Sequence, residues 1–370
     1  MPSTMQDTHC FVLYRNPPKA MTKHLAMAEH NGMVSPRSSE PEPGVSMGEV
    51  STHYATLLLK MYVNPALGLS GVFINLINTG IFYKMGLSDG VTQNFIVLSI
   101  FDGILAAAAL VNSISYIMLN TTCAHDGPIA EHLQAIFWAS VVSWPLSQIV
   151  SCVTTTVIAV VQCCCAVLPF RVKQILTRSR QLLAIAFFSL FFHAVMVYIF
   201  AATYILRITD LVTNMTQVEY ARTHYDFLNI FTNMYLYISF IIVTLCMMVL
   251  ILNFNRSSKF RRQSPYVSKG TDEEKVKARE IRAVQTVILV AAIFIICNLP
   301  TIILSIVRQV TPGFSVDGHL RNLYDFFLIF TETARLLNVD ANIFIYLGFN
   351  SRYRTIFWKT FGKDSVDKTV

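Results

Sequence analysis

Residues 92–118 read TQNFIVLSIFDGILAAAALVNSISYIM, a run whose single charge is Asp102. A helix rises about 1.5 Å per residue, so the run measures roughly 40 Å, more than the ~30 Å hydrocarbon core of a bilayer. Lipid offers no water to the backbone, and a helix satisfies every N–H and C=O within its own segment. The run therefore predicts a membrane-spanning helix. Its lone acid is costly in lipid, which predicts a partner or a task for that carboxylate.

Six more apolar runs lie at 61–84, 133–168, 181–206, 227–253, 281–308 and 321–348. Each is long enough to cross as a helix. The third begins amphipathic, at Glu131, His132 and Gln134, so part of it should protrude. Composition agrees: 54% of the 370 residues are hydrophobic and 14% are charged, against about 25% charged in a soluble domain. That excludes disordered, fibrous and disulfide-rich secreted classes and argues against a water-soluble fold. The expectation is an all-α membrane protein, a seven-transmembrane helix bundle over 57–348. Residues 1–56 are predicted to be a disordered extracellular tail, with Ser35–Gly48 rich in Ser, Pro and Glu and no apolar signal-peptide core. Residues 349–370 hold aromatics at helical spacing between bases, which predicts a short amphipathic interfacial helix and a cytoplasmic tail.

Net charge is +7, and in a membrane protein this needs no nucleic acid. The loop after run 3 carries Arg171, Lys173, Arg178 and Arg180; the loop after run 5 and the C-terminal tail are also rich in Lys and Arg. The loop after run 2 has neither, and the loop after run 4 has only Arg207 and Arg222. The bias predicts a multi-pass plasma-membrane protein with its N-terminus outside and C-terminus inside. Asn120-Thr-Thr and Asn214-Met-Thr are glycosylation sequons in predicted outer loops. Arg261-Arg-Gln-Ser264 suits a basophilic kinase, and the same bases suit anionic lipid. Thr271-Asp-Glu-Glu274 reads as a capping box that starts an inner extension of run 6. Six of the eight cysteines lie in or beside apolar runs, so they form no disulfide framework; Cys10 and Cys123 sit in polar stretches.

Polar residues inside the runs decide more. Run 1 has Gly71-Val-Phe-Ile-Asn75-Leu-Ile-Asn78, run 2 has Leu98-Ser-Ile-Phe-Asp102, run 6 has Cys297-Asn298-Leu-Pro300, and run 7 has Asn338-Val-Asp-Ala-Asn342-Ile-Phe-Ile-Tyr346. In these spacings the chain resembles the rhodopsin-like G-protein-coupled receptors over about residues 60–361. Phe82–Val91, Cys163–Lys173 and Ser351-Arg-Tyr-Arg354 look like the chemosensory-type receptors of that family found in molluscs. The resemblance implies a receptor that passes an extracellular small-molecule or peptide signal to a heterotrimeric G protein, with arrestin and membrane lipids as further partners and no enzymatic chemistry. Chemosensory and neuropeptide roles both stay open.

Asp102 is expected to face Asn75, with Ser151, Asn338 and Asn342 close by. A carboxylate, a hydroxyl and amides suit a hard cation, and the resemblance implies a sodium ion there. A hydrogen-bonded packing network without an ion, or a protonated Asp102, is the alternative. Pro300 should kink run 6, and Asn75, Cys297, Asn298, Pro300 and Tyr346 fall where the resemblance implies an activation switch. Asn298 stands in place of the family's Trp, and Ile343 in place of its Pro. Val161-Gln162-Cys163 replaces the family's Asp/Glu-Arg-Tyr, so Gln162, Arg171 and Glu280 become the expected G-protein contacts, with coupling weakened or lost. The ligand set implied is Trp144, Gln148, Thr301, Glu332 and Arg335. Trp144 in place of an acid disfavours a simple monoamine. Glu332 and Arg335, three apart on one helix, form either an intrahelical salt bridge or a pair that reads a zwitterion. His193 reads as a satisfied bundle histidine. A transporter or channel is the alternative class, but paired broken helices are missing from the sequence. No His-Glu-x-x-His or Gly-x-Ser-x-Gly string supports an enzyme.

Overall fold

A computed structural model describes residues 47–87, 90–121, 128–167, 176–213, 233–254, 272–311, 313–315 and 318–362. Every regular element among them is helical. In chain order they are α1 (Met47–Leu58), α2 (Asn64–Met85), α3 (Gly90–Thr121), α4 (Pro128–Val167), α5 (Arg178–Thr213), α6 (Asn233–Phe254), α7 (Asp272–Val310), α8 (Arg321–Phe349) and α9 (Ser351–Phe361). A π-helical turn, Leu59–Val63, joins α1 to α2.

Among the described residues, six helices are long and apolar enough to cross a membrane: Ser51–Met85, Gly90–Met118, Ser143–Val167, Arg178–Tyr198, Asn233–Phe254 and Val284–Val310. The chain thus has the build of a multi-pass membrane protein. Run 7 forms α8, 29 residues long, but Arg321, Asp325, Glu332, Arg335 and Asp340 lie along it, and it is not among the six. The tail expectation changes too. The helix starts at Met47, so residues 47–56 are helical rather than disordered. Their hydroxyls are satisfied inside the helix, as where Thr56 Oγ1 donates to Thr52 O at 2.8 Å. Such residues read as tail in the sequence because polarity alone does not distinguish a solvated helix from a loop. The helix α7 begins at Asp272, where the capping box places it.

The helices pack in sequence and then close. α2 lies on α3, α3 on α4, α4 on α5 and α7; α7 lies on α8, and α8 returns to α1 and α2. Small residues permit the tightest approach. A Cβ on Gly68 would stand 3.1 Å from Ala106 O, and one on Gly71 would stand 2.8 Å from both Ala106 Cβ and Asp340 Oδ1. Small residues at such crossings let backbones meet where no hydrophobic force drives helices together in lipid. One apolar cluster joins α4, α5, α6 and α7 through Ile149, Val153, Ile185, Met196, Leu236, Val243 and Phe294. Outward, Phe187, Leu190, Phe191, Ile241 and Leu245 are exposed, the pattern of lipid-facing surfaces.

Candidate functional site

Asp102 is fully buried on the face of α3 that also carries Leu98, Leu105 and Ala109, residues spaced three and four apart so that they share one side. Ser151 Oγ of α4 donates to its Oδ1 at 2.6 Å, and Asn342 Nδ2 of α8 donates to its Oδ2 at 3.1 Å. Three helices therefore meet at one carboxylate. Both bonds are buried within the bundle, so this is a polar tie that joins α3, α4 and α8. Both oxygens are satisfied without an ion. The donor types also fit a hard cation, through the Asp102 carboxylate, the Ser151 hydroxyl and the Asn342 amide oxygen. No group of three or more His, Cys, Asp or Glu forms a metal cluster among the described residues.

Two expected members lie elsewhere. Asn75 does not bond Asp102; its Nδ2 turns back to Gly71 O at 2.9 Å within its own helix. A local amide-to-backbone bond costs no long-range ordering and wins here. Asn338 is half-buried and makes no hydrogen bond to a described residue. Asp340, two positions on, is the buried acid of α8: Ser70 Oγ of α2 donates to its Oδ2 at 2.6 Å, while its Oδ1 has no partner.

Toward the far end of α8, Tyr346 is fully buried among Phe82, Phe95 and Tyr353, with ring centroids 4.9–5.5 Å apart. Asn350 makes the turn into α9: its Oδ1 accepts the Tyr353 N–H at 3.0 Å. That N-cap aims Tyr353 inward, where its hydroxyl donates to Asn78 Oδ1 at 2.6 Å. Burial pushes the Tyr353 hydroxyl above its ordinary range, which keeps it a proton donor. Arg352 donates to Met85 O at the end of α2. The sequence reading missed Tyr353 and Asn78 as a pair; the aromatic spacing of α9 was the available signal.

In α7, Pro300 lies within a continuous helix, as does Pro145 in α4. Gln148 Nε2 donates to Asn298 Oδ1 at 3.3 Å, and Asn298 Nδ2 donates to Phe294 O at 2.9 Å. The structure thus brings together Gln148, expected to bind ligand, and Asn298, expected to act as a switch. Gln148 Oε1 and the Thr301 hydroxyl beside them are buried and unpartnered. Cys297 is half-buried with a free thiol. His193 shares a 2.6 Å hydrogen bond with Ser189 O, as expected of a satisfied histidine.

At the end of the bundle where α2 begins, a cavity of about 100 Å³ opens between α2, α3, α4 and α8. Its walls include Lys60, Asn64, Asn112, Ser113, Trp144 and Glu332. Lys60 belongs to the π-helical turn, and its Nζ stands 3.8 Å from the centre of the Tyr116 ring. Asn64 accepts from Thr333 Oγ1 at 2.6 Å, fixing α2 to α8 under the cavity. Glu332 and Arg335 form no salt bridge with each other. Arg335 reaches instead to Thr331 O and Oγ1, at 3.3 and 3.4 Å, and its guanidinium carbon lies 5.7 Å from the Trp144 ring centre. An i,i+3 spacing permits a pair, and here the aromatic face and the threonine attract the guanidinium away from it.

Gln162 is half-buried near the end of α4 and bonds no described residue. Arg171, Asn214, Ser264, Cys10 and Cys123 lie outside the described residues, as do the side chains of Asn120 and Glu280. No protein-family model matches the chain, and no curated protein matches it.

Proposed function

We propose that the chain is a seven-helix receptor of the rhodopsin-like kind, with α8 as its seventh span, which converts ligand binding at one end of the bundle into helix rearrangement at the other. The observation that carries the reading is the three-helix tie at Asp102, Ser151 and Asn342. It lies between the Lys60–Glu332 cavity and the Tyr346–Tyr353–Asn78 cluster, so a shift of α8 at one end has a mechanical route to the other. The Gln148–Asn298 bond couples α4 to α7 on the same level of the bundle, and Pro300 removes a backbone hydrogen bond from α7. Rigid-body movement of a helix about such contacts is an ordinary switching mode. The ligand enters at the end bearing Trp144, Gln148, Thr301, Glu332 and Arg335. A heterotrimeric G protein meets the opposite end, at Gln162, Arg171 and Glu280, with arrestin and anionic lipid as further partners. A sodium ion at Asp102 favours the resting arrangement.

Cells expressing the chain with several promiscuous G proteins test this directly. A screen of small molecules and peptides should give ligand-dependent G-protein activation and arrestin recruitment. Solute flux in proteoliposomes with no G-protein response overturns the receptor reading in favour of a transporter. A second reading, a receptor-like protein without G-protein coupling, is favoured by Gln162 standing where the resemblance expects Arg. Ligand binding without G-protein activation, unchanged by Gln162→Ala, supports that version.

A further inference from the structure

We propose that the cavity between α2, α3, α4 and α8 is a binding site for a small zwitterion of α-amino-acid size, with Lys60 holding its carboxylate and Glu332 its ammonium. The assignment deepens the receptor reading: its signalling role rests on that reading, while the binding does not.

Three observations converge. First, a base and an acid line one small cavity and make no ion pair with each other within 4.0 Å. Charges held out of water without a counter-charge are costly, even where a cation–π contact remains as for Lys60 over the Tyr116 ring, and a guest with one charge of each sign supplies a counter-charge to both. A simple amine would leave Lys60 unmatched, and a simple carboxylate would leave Glu332 unmatched. Second, Lys60 is placed by a π-helical turn, in which the Asn64 N–H donates to Leu59 O across five residues. Such wide turns are rare and are frequent at functional sites. Third, Arg335, the other cation near Glu332, is engaged with Thr331 and Trp144 and does not line the cavity, whereas Lys60 does.

Size limits the guest. The cavity holds about 100 Å³, and one water needs about 10–15 Å³ on this measure. That leaves room for about seven to ten non-hydrogen atoms, enough for a small amino acid such as alanine or serine. Trp144 and Ala109 give a short apolar wall for the Cα substituent, and Asn112 and Ser113 give polar edges.

The test uses the full chain in lipid nanodiscs. Thermal unfolding is followed against increasing L-alanine, L-serine or glycine, with L-alanine methyl ester and propionate as single-charge controls. The amino acids should raise the midpoint in a saturable way, with apparent Kd values at least about tenfold tighter than those of the ester and of propionate. Glu332→Gln should weaken the amino acids and the ester but leave propionate unchanged. Lys60→Met should weaken the amino acids and propionate but leave the ester unchanged. If either variant fails to fold, the ligand comparison on the unaltered chain decides alone. No saturable shift with any of the three amino acids overturns the proposal, as does an ester that binds as well as its parent. Amino-acid binding with no G-protein response keeps the site and overturns G-protein signalling in favour of the uncoupled, receptor-like reading.

Discussion

The Tyr353 hydroxyl donates to Asn78 Oδ1 at 2.6 Å, across 275 positions of sequence. The bond pins the terminal helix α9 beneath α2, and both side chains are fully buried. The Tyr353 ring also packs at a tilt against Tyr346 and Phe82, so α2, α8 and α9 share one contact.

Tyr353→Phe removes the donor and keeps the ring. The stranded Asn78 oxygen should then cost about 1–3 kcal/mol. A lowered thermal unfolding midpoint in nanodiscs, with the wild-type helical signal retained at low temperature, is the expected result; an unchanged midpoint shows that the bond adds nothing.

Gly71 stands where α2, α3 and α8 meet. A methyl there would press on Ala106 Cβ and Asp340 Oδ1, both 2.8 Å away, whereas a Cβ on Gly80 meets nothing within 4 Å. Gly71→Ala should destabilise by about 1–3 kcal/mol, as overpacking does. Gly80→Ala should be neutral or slightly stabilising, because alanine favours helix. Folded yield after detergent extraction of the two variants, compared side by side, checks the contrast.

Gln148 and Asn298 form one unit across α4 and α7. Changing either to leucine leaves the other amide partly unmatched in a buried place. Changing both removes the need for a match, so the double variant should be less damaged than the two single losses added together, by about 0.5–3 kcal/mol. Strict additivity in a thermal double-mutant cycle would show that the 3.3 Å contact carries no coupling.

Asp102 separates the ion from the packing network. If sodium binds, replacing potassium by sodium should raise the unfolding midpoint of the unaltered chain and leave that of Asp102→Asn in place. An unaltered chain indifferent to the exchange means that Ser151 and Asn342 alone complete the carboxylate.

The helices were legible because lipid imposes a simple rule, a long apolar run, and six runs obey it. The run that became α8 was found by its apolar residues, yet its five ionisable side chains keep it outside that rule. Within the site, Asp102, Ser151 and Asn342 were legible from spacing, because each is a costly polar residue in an apolar run. Asn75 was misplaced because spacing fixes a face and not a hydrogen-bond partner; its amide closes on Gly71 instead. Ser70–Asp340, Asn94–Gln181 and Tyr353–Asn78 were not legible. Each joins residues 87 or more positions apart, and no local spacing names the partner, although the aromatic spacing of α9 marks Tyr353 itself. The Glu332–Arg335 spacing allowed a pair that the Trp144 ring and Thr331 outcompete.

The wide turn at Leu59–Val63 sets a phase offset between the two helices it joins. An ordinary α-helix advances about 100° per residue, so the same residues wound as a regular helix would rotate α1 by about that angle relative to its observed setting. Trimming a single residue from this turn would restore regular pitch and leave the α1 surface against α8, because four residues of ordinary helix turn about as far as the five of the wide turn. The turn thus absorbs one surplus amino acid, whose loss there would keep the α1–α8 contact in register.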